Sequence, residues 1–542
     1  MPVRLLPFAL IVTVFALSLW GISQSGLWWI AAIISGALTV LGVMDLTQDR
    51  SAVRRNYPVI GRVRFLAEDL RPFVRQYFVE DDNEEKPFSY AQRTLVNQRS
   101  ISALDKLPFG TERDLYASGH EWINHSLAPV APQIGDFRVQ VGGERCTKPY
   151  SASVLNISAM SFGSLSANAV LALSRGAARG GFYHDTGEGG LSDYHLEGGG
   201  DLVWEIGSGY FSCRNEQGQF DPEQFARRAQ HPRVKMIELK LSQGAKPGHG
   251  GILPGQKVSA EIAHTRGVPQ GQDCVSPAAH TAFSTPLELL EFVDRLRQLS
   301  GGKPVGIKLA IGHPWEWFGI AKAMLESKLL PDFIVVDGAE GGTGAAPLEF
   351  ADNVGLPLRE ALLLVHNTLI GCGLRKQIKI GAAGKVISAF DLARTMALGA
   401  DWCNAARGFM FSLGCIQSQH CHTGKCPTGV ATQDSDRQKG LDVADKASRV
   451  QQFHHNTLHA LAELLGAAGI DHPAQLGPEH IMRRLPNSEI RAYAFFYPQI
   501  AEGALLKGHT ERAPYREFWD TASAKQFNLP PNLAALRTSK TR

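Results

Sequence analysis

The segment Phe333-Ile-Val-Val-Asp337 is a short apolar run rich in β-branched residues, and Gly338-Ala-Glu-Gly-Gly-Thr-Gly344 follows it directly. A buried strand that ends in a glycine-rich loop is typical of a parallel β/α unit. The same pattern recurs on both sides of this segment, with helical stretches between the apolar runs. The eight runs are Val154–Met160, Gly181–Thr186, Asp201–Gly207, Met236–Ser242, Pro304–Ala310, Phe333–Asp337, Ile378–Gly381 and Trp402–Arg407. Eight such units predict a (β/α)8 TIM barrel.

Glycines and cations follow the C-terminal ends of these runs, where barrel enzymes place their sites. The loops Gly341–Gly344 and Gly381–Lys385 follow the sixth and seventh runs, and Lys308 and Arg407 lie at the ends of the fifth and eighth. Backbone N–H groups without a neighbouring Cβ can surround phosphate oxygens. Most glycine loops are only turns, and a strand-end salt bridge is the alternative for Lys308. Together, however, these features indicate a phosphate-bearing cofactor.

Composition excludes several classes of function. The 55 basic and 52 acidic side chains give a net charge of +3, which offers no electrostatic case for nucleic-acid binding. Eight cysteines in 542 residues do not form a disulfide scaffold and fit a reducing compartment. We find no G-x-G-x-x-G motif between a predicted strand and helix with an acid about 20 residues further on. The sequence therefore predicts no nicotinamide site, and electrons are expected to come from elsewhere.

Three cysteines form a candidate metal-binding group. Cys415, Cys421 and Cys426 fall within twelve residues, with the spacing C-x5-C-x4-C. Thiolates grouped in this way hold soft metal centres. Three ligands suit a three-iron cluster better than a structural zinc, which takes four. His420 and His422 keep zinc open as an alternative, and plain buried thiols are a third.

The N-terminal residues predict a transmembrane helical hairpin. The stretches Leu5–Ile22 and Leu27–Met44 contain no charged residue and are separated by a short polar break. Each is about as long as a bilayer span requires. Arg4 precedes the first stretch and several arginines follow the second, so the positive-inside rule places both ends in the cytoplasm. We expect an inner (cytoplasmic) membrane protein whose catalytic body faces the cytoplasm; a signal peptide and a buried core hairpin are the alternatives.

These patterns divide the chain into four parts. Residues 1–48 are predicted as the transmembrane hairpin, 49–149 as a mostly helical linker or cap, 150–440 as the barrel with its cysteine loop, and 441–542 as a C-terminal helical extension. Apolar residues at helical spacing predict helices at Val63–Tyr77 and His454–Leu465.

Five motifs, in chain order, carry a resemblance to a known family. They are Ser158-Ala-Met-Ser-Phe-Gly-Ser-Leu-Ser166, Thr186-Gly-Glu-Gly-Gly190, Gln243-Gly-Ala-Lys-Pro-Gly-His-Gly-Gly251, Gly341-Gly-Thr-Gly-Ala-Ala-Pro347 and Cys415…Cys421-His…Cys426-Pro-Thr-Gly-Val-Ala-Thr-Gln433. From Pro149 to Gln433 the chain resembles the synthase domain of glutamate synthase. As a whole it resembles the shorter FMN-binding relatives that lack the amidotransferase domain.

The resemblance implies an FMN-binding (β/α)8 barrel and a 3Fe-4S cluster held by Cys415, Cys421 and Cys426. It also implies a reaction: 2-oxoglutarate and ammonia give 2-iminoglutarate, and reduced FMN delivers hydride to make glutamate. The cluster would relay electrons to FMN from a ferredoxin or a flavoprotein reductase.

Site residues carry over position by position. The implied FMN contacts are Ala159, Met160, Ser161, Lys308, Gly341, Gly342, Thr343, Gly381, Gly384, Lys385 and Arg407. Glu188 and Lys240 correspond to catalytic positions, and Lys246, Arg266 and Ser284 to residues around the substrate carboxylates. Fixed cations and donors suit a dianionic substrate. Glu188 could assist proton transfer at nitrogen, with a simple loop carboxylate as its alternative.

Two departures from the family pattern bear on the reaction. Ile252 stands where the full synthases have a glutamine that contacts the keto acid, and isoleucine cannot donate a hydrogen bond. His249 replaces a glutamate and is expected to be a satisfied loop histidine. The first cysteine is Cys146, so we expect the nitrogen donor to be free ammonia, an amine, or ammonia from another chain.

Three functions follow from the sequence. The first is a glutamate synthase-like oxidoreductase that makes an amino acid from a 2-oxo acid and ammonia. The second keeps the cofactors but uses another amine or keto acid, as an N-alkylglutamate synthase-like enzyme would. The third is an electron-relay subunit of a membrane complex. The retained residues Glu188, Lys246 and Arg266 speak against the third, because a pure relay needs no substrate-binding cations.

Overall fold

The computed structural model describes residues 3–84, 86–103 and 106–528. The chain divides between Tyr90 and Ala91 into two compact units. The predicted boundaries after residues 48, 149 and 440 stay predictions.

The N-terminal unit consists of helices. They are α1 (Leu6–Gly21), α2 (Trp28–Thr47), α3 (Ala52–Asn56) and α4 (Gly61–Val74), followed by a π-helical turn over Arg75–Val79. Helices α1 and α2 pack closely, because Gly36 and Gly42 of α2 leave room for phenylalanine rings of α1. Both helices are long and apolar enough to cross a membrane, by length and composition. The two predicted N-terminal apolar helices are thus present.

The second unit is built on a closed barrel of eight parallel strands. In chain order the strands are β1 (Leu155–Ile157), β2 (Tyr183–Asp185), β3 (Asp201–Ile206), β4 (Val234–Lys240), β5 (Val305–Leu309), β6 (Phe333–Asp337), β7 (Lys379–Ala383) and β8 (Trp402–Ala405). Each strand pairs with the next, and β8 closes on β1 with Cys403 opposite Leu155. Each observed strand overlaps one predicted run. The predicted (β/α)8 barrel is confirmed.

Large apolar side chains and a short hairpin close the N-terminal end of the barrel. Tyr183 and Trp402 begin β2 and β8, and the indole N–H of Trp402 donates to the Tyr183 hydroxyl at 2.8 Å. The antiparallel pair Arg138–Val141 and Tyr150–Ser153 packs against the same buried cluster.

Helices alternate with the strands, and sequence signals fix their ends. At the start of the first barrel helix, the Ser166 side chain accepts from Ala169 N–H, and Gly181 ends that helix with φ of +67°. The remaining α-helices are α5 (Tyr90–Ser100), α6 (Ala167–Gly180), α7 (Asp193–Glu197), α8 (Pro222–Ala229), α9 (Ala260–Arg266), α10 (Pro286–Leu299), α11 (Pro314–Ser327), α12 (Leu348–Asn353), α13 (Leu358–Gly371), α14 (Ala389–Ala397), α15 (Arg407–Ser412), α16 (Ser435–Lys439), α17 (Val443–Ala467), α18 (Tyr493–Phe496) and α19 (Tyr515–Phe518).

Two flanking regions contain less helix than expected. The described residues from 106 to 149 form loops, a 3-10 turn at Ile134–Asp136 and short strands. After α17, the strands Ile481–Arg484 and Ile490–Ala492 join Glu121–Ile123 in a three-stranded antiparallel sheet. The buried carboxylate of Glu121 connects this small sheet to the barrel helices α13 and α14, because it pairs with one arginine of each helix at 2.6 and 2.9 Å.

The packing of β5 against β6 gives a test of the fold. Gly306 lies opposite Phe333, and an added Cβ would overlap the Phe333 ring. We expect Gly306→Ala to destabilise the barrel by roughly 1–3 kcal/mol, the usual cost of overpacking a core. The measurement is the midpoint of thermal unfolding by tryptophan fluorescence. Gly312→Ala is the matched control, since nothing lies within 4 Å of a Cβ there; equal midpoints for the two variants would contradict the described packing.

Candidate active site

A small cavity lies at the C-terminal ends of β3 and β4. Its lining includes Glu188, Ser208, Lys240, Gln243, Lys246 and His249. Lys240 is the last residue of β4, and Glu188 stands in the loop after β2. The strands therefore bring together two side chains that are 52 residues apart in the sequence, both of them predicted as catalytic.

Glu188 and Lys240 form an ion pair in this cavity. The Lys240 ammonium lies 3.0 Å from a carboxylate oxygen of Glu188, and it donates to the amide oxygen of Gln243 at 2.7 Å. Burial raises the pKa of Glu188, but the Lys240 charge and hydrogen bond outweigh it, together with Lys246 and Arg266, so the pKa lies below the usual value. Glu188 is therefore ionised at neutral pH.

Two further buried cations act on Glu188. Lys246 donates to the carbonyl of Gly250 at 3.2 Å, and burial lowers its pKa despite the charge of Glu188. Arg266 ends α9 and donates to the carbonyl of Phe162 at 3.1 Å. Lys240 also lies 3.8 Å from Glu205, so two carboxylates share this cation. Among the described residues, no carboxylate lies within 4 Å of the charged nitrogens of Lys246 or Arg266. These two cations are the ones that a dicarboxylate ligand would neutralise.

Three other positions singled out in the sequence have different surroundings. Ser284 donates its hydroxyl to Glu288 at 2.8 Å at the start of α10 and is not among the residues that line the cavity. Ile252 pairs with Val275 in a two-stranded sheet, and 44% of its surface is exposed. The Nδ1 of His249 lies 2.8 Å from the carbonyl oxygen of Gly250, as expected of a satisfied loop histidine.

The last layer of the barrel interior holds an acidic cluster around Lys308. The Lys308 ammonium lies 2.7 Å from Glu205 and 3.7 Å from Glu238, and all three are almost fully buried. Asp185 belongs to the same cluster, since oxygens of Asp185, Glu205 and Glu238 all lie within 4.8 Å of one another. Lys308 thus forms a salt bridge at the end of its strand, and its predicted contact with FMN stays a prediction.

Three buried carboxyl groups share Lys308, and only Glu205 also lies near Lys240, at 3.8 Å, so the proximity of the acids favours protonation within the cluster. Burial, followed by the charge of Glu205, raises the pKa of Asp185 to about 7. Burial and the charge of Asp185 raise the pKa of Glu238 well above its usual value. The arrangement is consistent with a neutral Glu238 carboxyl that donates a hydrogen bond to Asp185.

Residues predicted to contact FMN follow β1. Ala159, Met160 and Ser161 come directly after this strand, and the backbone of Gly187 lies against them. A Cβ on Gly187, whose φ is +66°, would lie 2.7 Å from the backbone nitrogen of Ser161. The close approach of these two loops places the segment after β1 beside Glu188.

The loop after β6 meets a buried guanidinium group. Arg407, at the start of α15, donates to the carbonyl of Glu340 at 2.5 Å, and burial lowers its pKa to about 10. A Cβ on Gly342 would lie 2.8 Å from the guanidinium carbon, so Gly342 packs directly against the end of the Arg407 side chain. Gly341 is partly buried beside it, and Thr343 is exposed.

The loop after β7 also lies near Glu340, the residue whose carbonyl accepts from Arg407. Gly384 lies near Leu358 and the carboxylate of Glu340, and Lys385 has a left-handed φ of +49°. Gly381 is different, because it lies within β7 against the Trp402 indole and serves strand packing. Glycine loops of two adjacent strands and a charged arginine therefore converge, and this donor set fits a phosphate group.

The three clustered cysteines share one loop after β8. Burial is the main cause that raises the pKa of Cys415 to about 12, and the charges of Cys421 and Cys426 add to it. Burial also raises the pKa of Cys426, but hydrogen bonds from Thr428 and from backbone N–H groups outweigh it and lower the pKa. Hydrogen bonds that favour a thiolate fit a metal ligand.

Lys257 links this loop to the cavity segment. Its ammonium donates to the carbonyl of Cys421 at 3.1 Å, and the side chain is almost fully buried. Lys257 lies on the same connection between β4 and β5 that carries Lys246 and Arg266. The cysteine loop and the cavity are therefore neighbours in the fold.

Sequence reasoning missed the acidic cluster and the role of Gln243. Asp185, Glu205 and Glu238 each lie inside a predicted strand, among apolar neighbours. A carboxylate within a fully buried parallel strand is unusual and could have served as the signal. Gln243 belongs to a quoted motif, but nothing in the motif indicates that it fixes Lys240.

Comparisons with known proteins agree with this geometry. Residues 138–471 match the family described as the conserved region in glutamate synthase. The chain is 41% identical over 491 residues to the glutamate synthase large subunit-like protein YerD of Bacillus subtilis, covering 83% of this chain and 93% of that protein. It is 37% identical over 316 residues to the archaeal glutamate synthase (NADPH) of Methanocaldococcus jannaschii, covering 58% of this chain. That match spans 59% of the archaeal protein.

Solved structures share the barrel fold only. A lactate oxidase from Pediococcus acidilactici is 14% identical, with a TM-score of 0.41, and covers 73% of this chain and 86% of that chain. Mandelate oxidase with benzoyl-formic acid is also 14% identical, with a TM-score of 0.40, and covers 74% of this chain and 98% of that chain.

The protonated cluster predicts an unusual dependence of stability on pH. Because the pKa of Asp185 rises from 3.8 to about 7, and that of Glu238 rises as well, the folded protein binds more protons than the unfolded chain between those values. Stability contributed by the cluster is present in acid and falls as the pH rises toward 7. In Glu238→Gln the amide still donates to Asp185 but cannot ionise. We expect the loss of thermal stability between pH 5 and pH 8 to shrink, by roughly 2–4 °C in the unfolding midpoint.

The matched control is Glu291→Gln, an exposed acid on α10. It should follow the parent protein at every pH. A Glu238→Gln profile that also parallels the parent would show that Glu238 is ionised in the folded state.

Proposed function

The chain belongs to the glutamate synthase family, and on that premise we propose that it is an FMN-dependent enzyme that reductively aminates a 2-oxo acid, with 2-oxoglutarate and ammonia giving glutamate. The family establishes an oxidoreductase of the glutamate synthase type, as predicted. The substrates, the iron–sulfur cluster and the electron donor belong to the proposal.

One observation carries the proposal: Lys246 and Arg266 are buried cations with no carboxylate within 4 Å among the described residues, and both act on the ionised Glu188, which Lys240 holds at the open end of the barrel. Buried cations without an anionic partner are costly unless a ligand supplies one. 2-Oxoglutarate brings two carboxylates and a carbonyl. An electron-relay subunit would have no use for this arrangement.

The chain's own residues would divide the work as follows. Lys246 and Arg266 bind the carboxylates, and their hydrogen bonds to backbone carbonyls hold them in place. Glu188, ionised and held by Lys240, accepts a hydrogen bond from neutral ammonia and orients it for attack on the keto carbon, because its lowered pKa makes it too weak a base to deprotonate ammonium. Loss of water then gives the imine. Its reduction adds a hydride at carbon and a proton at nitrogen, and yields the amino acid.

FMN fits the residues around the cavity. Its phosphate would be held by the loops at Gly341–Thr343 and Gly384–Lys385 with Arg407, and its ring would lie between Ala159–Ser161 and Lys308. The packing of Gly342 on Arg407 supports this placement, because a side chain there would fill the space. Bound FMN supplies the hydride chemistry that no amino-acid side chain can provide.

The cysteine loop fits a 3Fe-4S cluster ligated by Cys415, Cys421 and Cys426. The C-x5-C-x4-C spacing within one loop and the hydrogen bonds that favour a Cys426 thiolate support this assignment. Such a cluster accepts electrons singly from an outside donor, for which a ferredoxin or a flavoprotein reductase is suited. The Nδ1 of His420 lies 2.6 Å from the Ser418 carbonyl oxygen, an arrangement that zinc-bound histidines also show, so zinc stays the alternative that the metal content decides.

We further propose that α1 and α2 form a membrane hairpin with both ends in the cytoplasm. Their length and hydropathy support it, and so do the arginines that flank them. The catalytic unit would then work at the cytoplasmic face of the inner membrane.

A second candidate function keeps the cofactors and changes the substrate. Ile252 occupies the position of a family glutamine, and its side chain can donate no hydrogen bond to a keto acid. Gly251, its neighbour, lines the cavity. A different keto acid, or an alkylamine in place of ammonia, would suit a cavity that lacks this donor.

The decisive experiment is anaerobic reduction of the purified protein followed by 2-oxoglutarate with ammonia. Reoxidation of the flavin with formation of glutamate is the expected result. Lys246→Met should raise the KM for 2-oxoglutarate about 10- to 100-fold, because a charged hydrogen bond contributes about 1.5–3 kcal/mol. The matched control is Lys235→Met, which should leave KM unchanged. Lys235 is the second residue of β4 and lies at the opposite end of the strand from Lys240.

The outcomes separate the candidates. Reoxidation only by other keto acids or with alkylamines would favour the second function. If no keto acid reoxidises a protein whose flavin spectrum is intact, the enzyme has a different reaction and the proposal is wrong.

Metal content tests the cysteine loop. Cys421→Ser should lose the iron–sulfur absorbance and most of the iron, about three atoms per chain, while the flavin stays bound. Cys146→Ser, a cysteine outside the loop, should keep both. Zinc instead of iron in the parent protein, or unchanged iron in Cys421→Ser, would refute the cluster assignment.

A further inference from the structure

A buried aspartate fixes the direction in which the chain leaves α2. Asp45, in the last turn of α2, accepts a bidentate hydrogen bond from Arg62 at 2.8–3.1 Å and another from Val59 N–H at 3.0 Å. Val59 has φ of +65°, an unusual conformation for a β-branched residue that this contact helps to hold. The start of α4 is thereby tied to the end of the apolar helix α2.

Helix α4 turns an apolar stripe outward. Val63, Leu66, Leu70, Val74 and Tyr77 are spaced by three or four residues and therefore share one face. They are 62%, 58%, 48%, 47% and 52% exposed. A stripe of large side chains in contact with water normally has a partner. In the π-helical turn that follows, Phe78 is 85% exposed and extends the stripe.

Arginines border this stripe. Residues 50–79 contain seven arginines and two acids. Arg64 and Arg71 are exposed on α4, and Arg64 reaches an exposed carboxylate of its own helix at 3.0 Å. An exposed apolar face with cations beside it is characteristic of helices that lie in the interface of an anionic membrane.

We propose that α4 and its π-helical turn, residues 61–79, lie in the headgroup region of the membrane, with the apolar stripe toward the acyl chains and the arginines on anionic lipid headgroups. This inference rests on the proposed hairpin, because the Asp45 contact places the start of α4 where α2 would leave the bilayer. A second copy of the chain or another protein would not need the cations that border the stripe.

Photo-crosslinking of the full-length protein tests the proposal. A diazirine-bearing amino acid replaces Leu66 or Leu70 on the stripe, or Glu68 on the opposite side of α4, in nanodiscs of phosphatidylcholine and phosphatidylglycerol. We expect about tenfold more lipid adduct from the two stripe positions than from position 68. Equal yields, or adducts with a second copy or another protein at positions 66 and 70, would overturn the proposal.

Two controls make the result specific. A probe at Leu10, which is exposed on α1, reports on the hairpin itself. Lipid adducts at position 10 without adducts at 66 and 70 refute the placement of α4 alone, whereas their absence at all three positions refutes the hairpin too. In the pair Arg64→Gln and Arg71→Gln, or in nanodiscs without phosphatidylglycerol, the adduct at position 70 should fall several-fold; an unchanged yield would exclude the anionic headgroups.

Discussion

The ion pair between Lys308 and Glu205 inside the barrel is the constraint on which the site depends. Removing one partner of a buried pair costs roughly 3–5 kcal/mol, because the other charge stays behind without water. Here the loss of either partner would also affect a second charged group, because Lys308 lies 3.7 Å from Glu238 and Glu205 lies 3.8 Å from Lys240. The pair therefore sets the charge of the layer directly beneath the cavity. Lys240 connects this layer to Glu188, because it lies near both Glu205 and Glu188.

This buried layer fixes the side chains that line the cavity. Glu238 and Lys240 are two residues apart on β4 and therefore point to the same face of the strand. The strand thus presents both a buried acid to Lys308 and the cation that holds Glu188. Gln243 then fixes Lys240 from the loop side. On loops alone these side chains would be mobile. At a strand end that a buried charge network holds, they are fixed. Ordered cations bind a dianion with little loss of conformational entropy.

The sequence predicts the barrel well because each strand is a short apolar run closed by glycine or a cation. It also predicts which residues meet at the cavity, because the C-terminal ends of parallel strands converge. It fails where the direction of a side chain decides. The acids at Glu205 and Glu238 look like interruptions of a strand until the closed barrel shows that they face inward. Gly381 belongs to a glycine loop by sequence but packs on Trp402, and Ser284 caps α10 instead of lining the cavity.

The connection between β4 and β5 explains how two kinds of chemistry can share this end of the barrel. That single stretch carries Lys246 at the cavity, Arg266 as a further cation that acts on Glu188, and Lys257 at the cysteine loop. Burial lowers the pKa of Lys257, whereas the charges of Cys421 and Cys426 raise it, so its positive charge is most favourable when these thiols are ionised. In the proposed function, the cysteine loop would hold thiolates and the cavity would hold carboxylates, so both would require buried cations. One connection supplies these cations, and it would keep an electron entry point and an anionic substrate close together without placing their negative charges in direct contact.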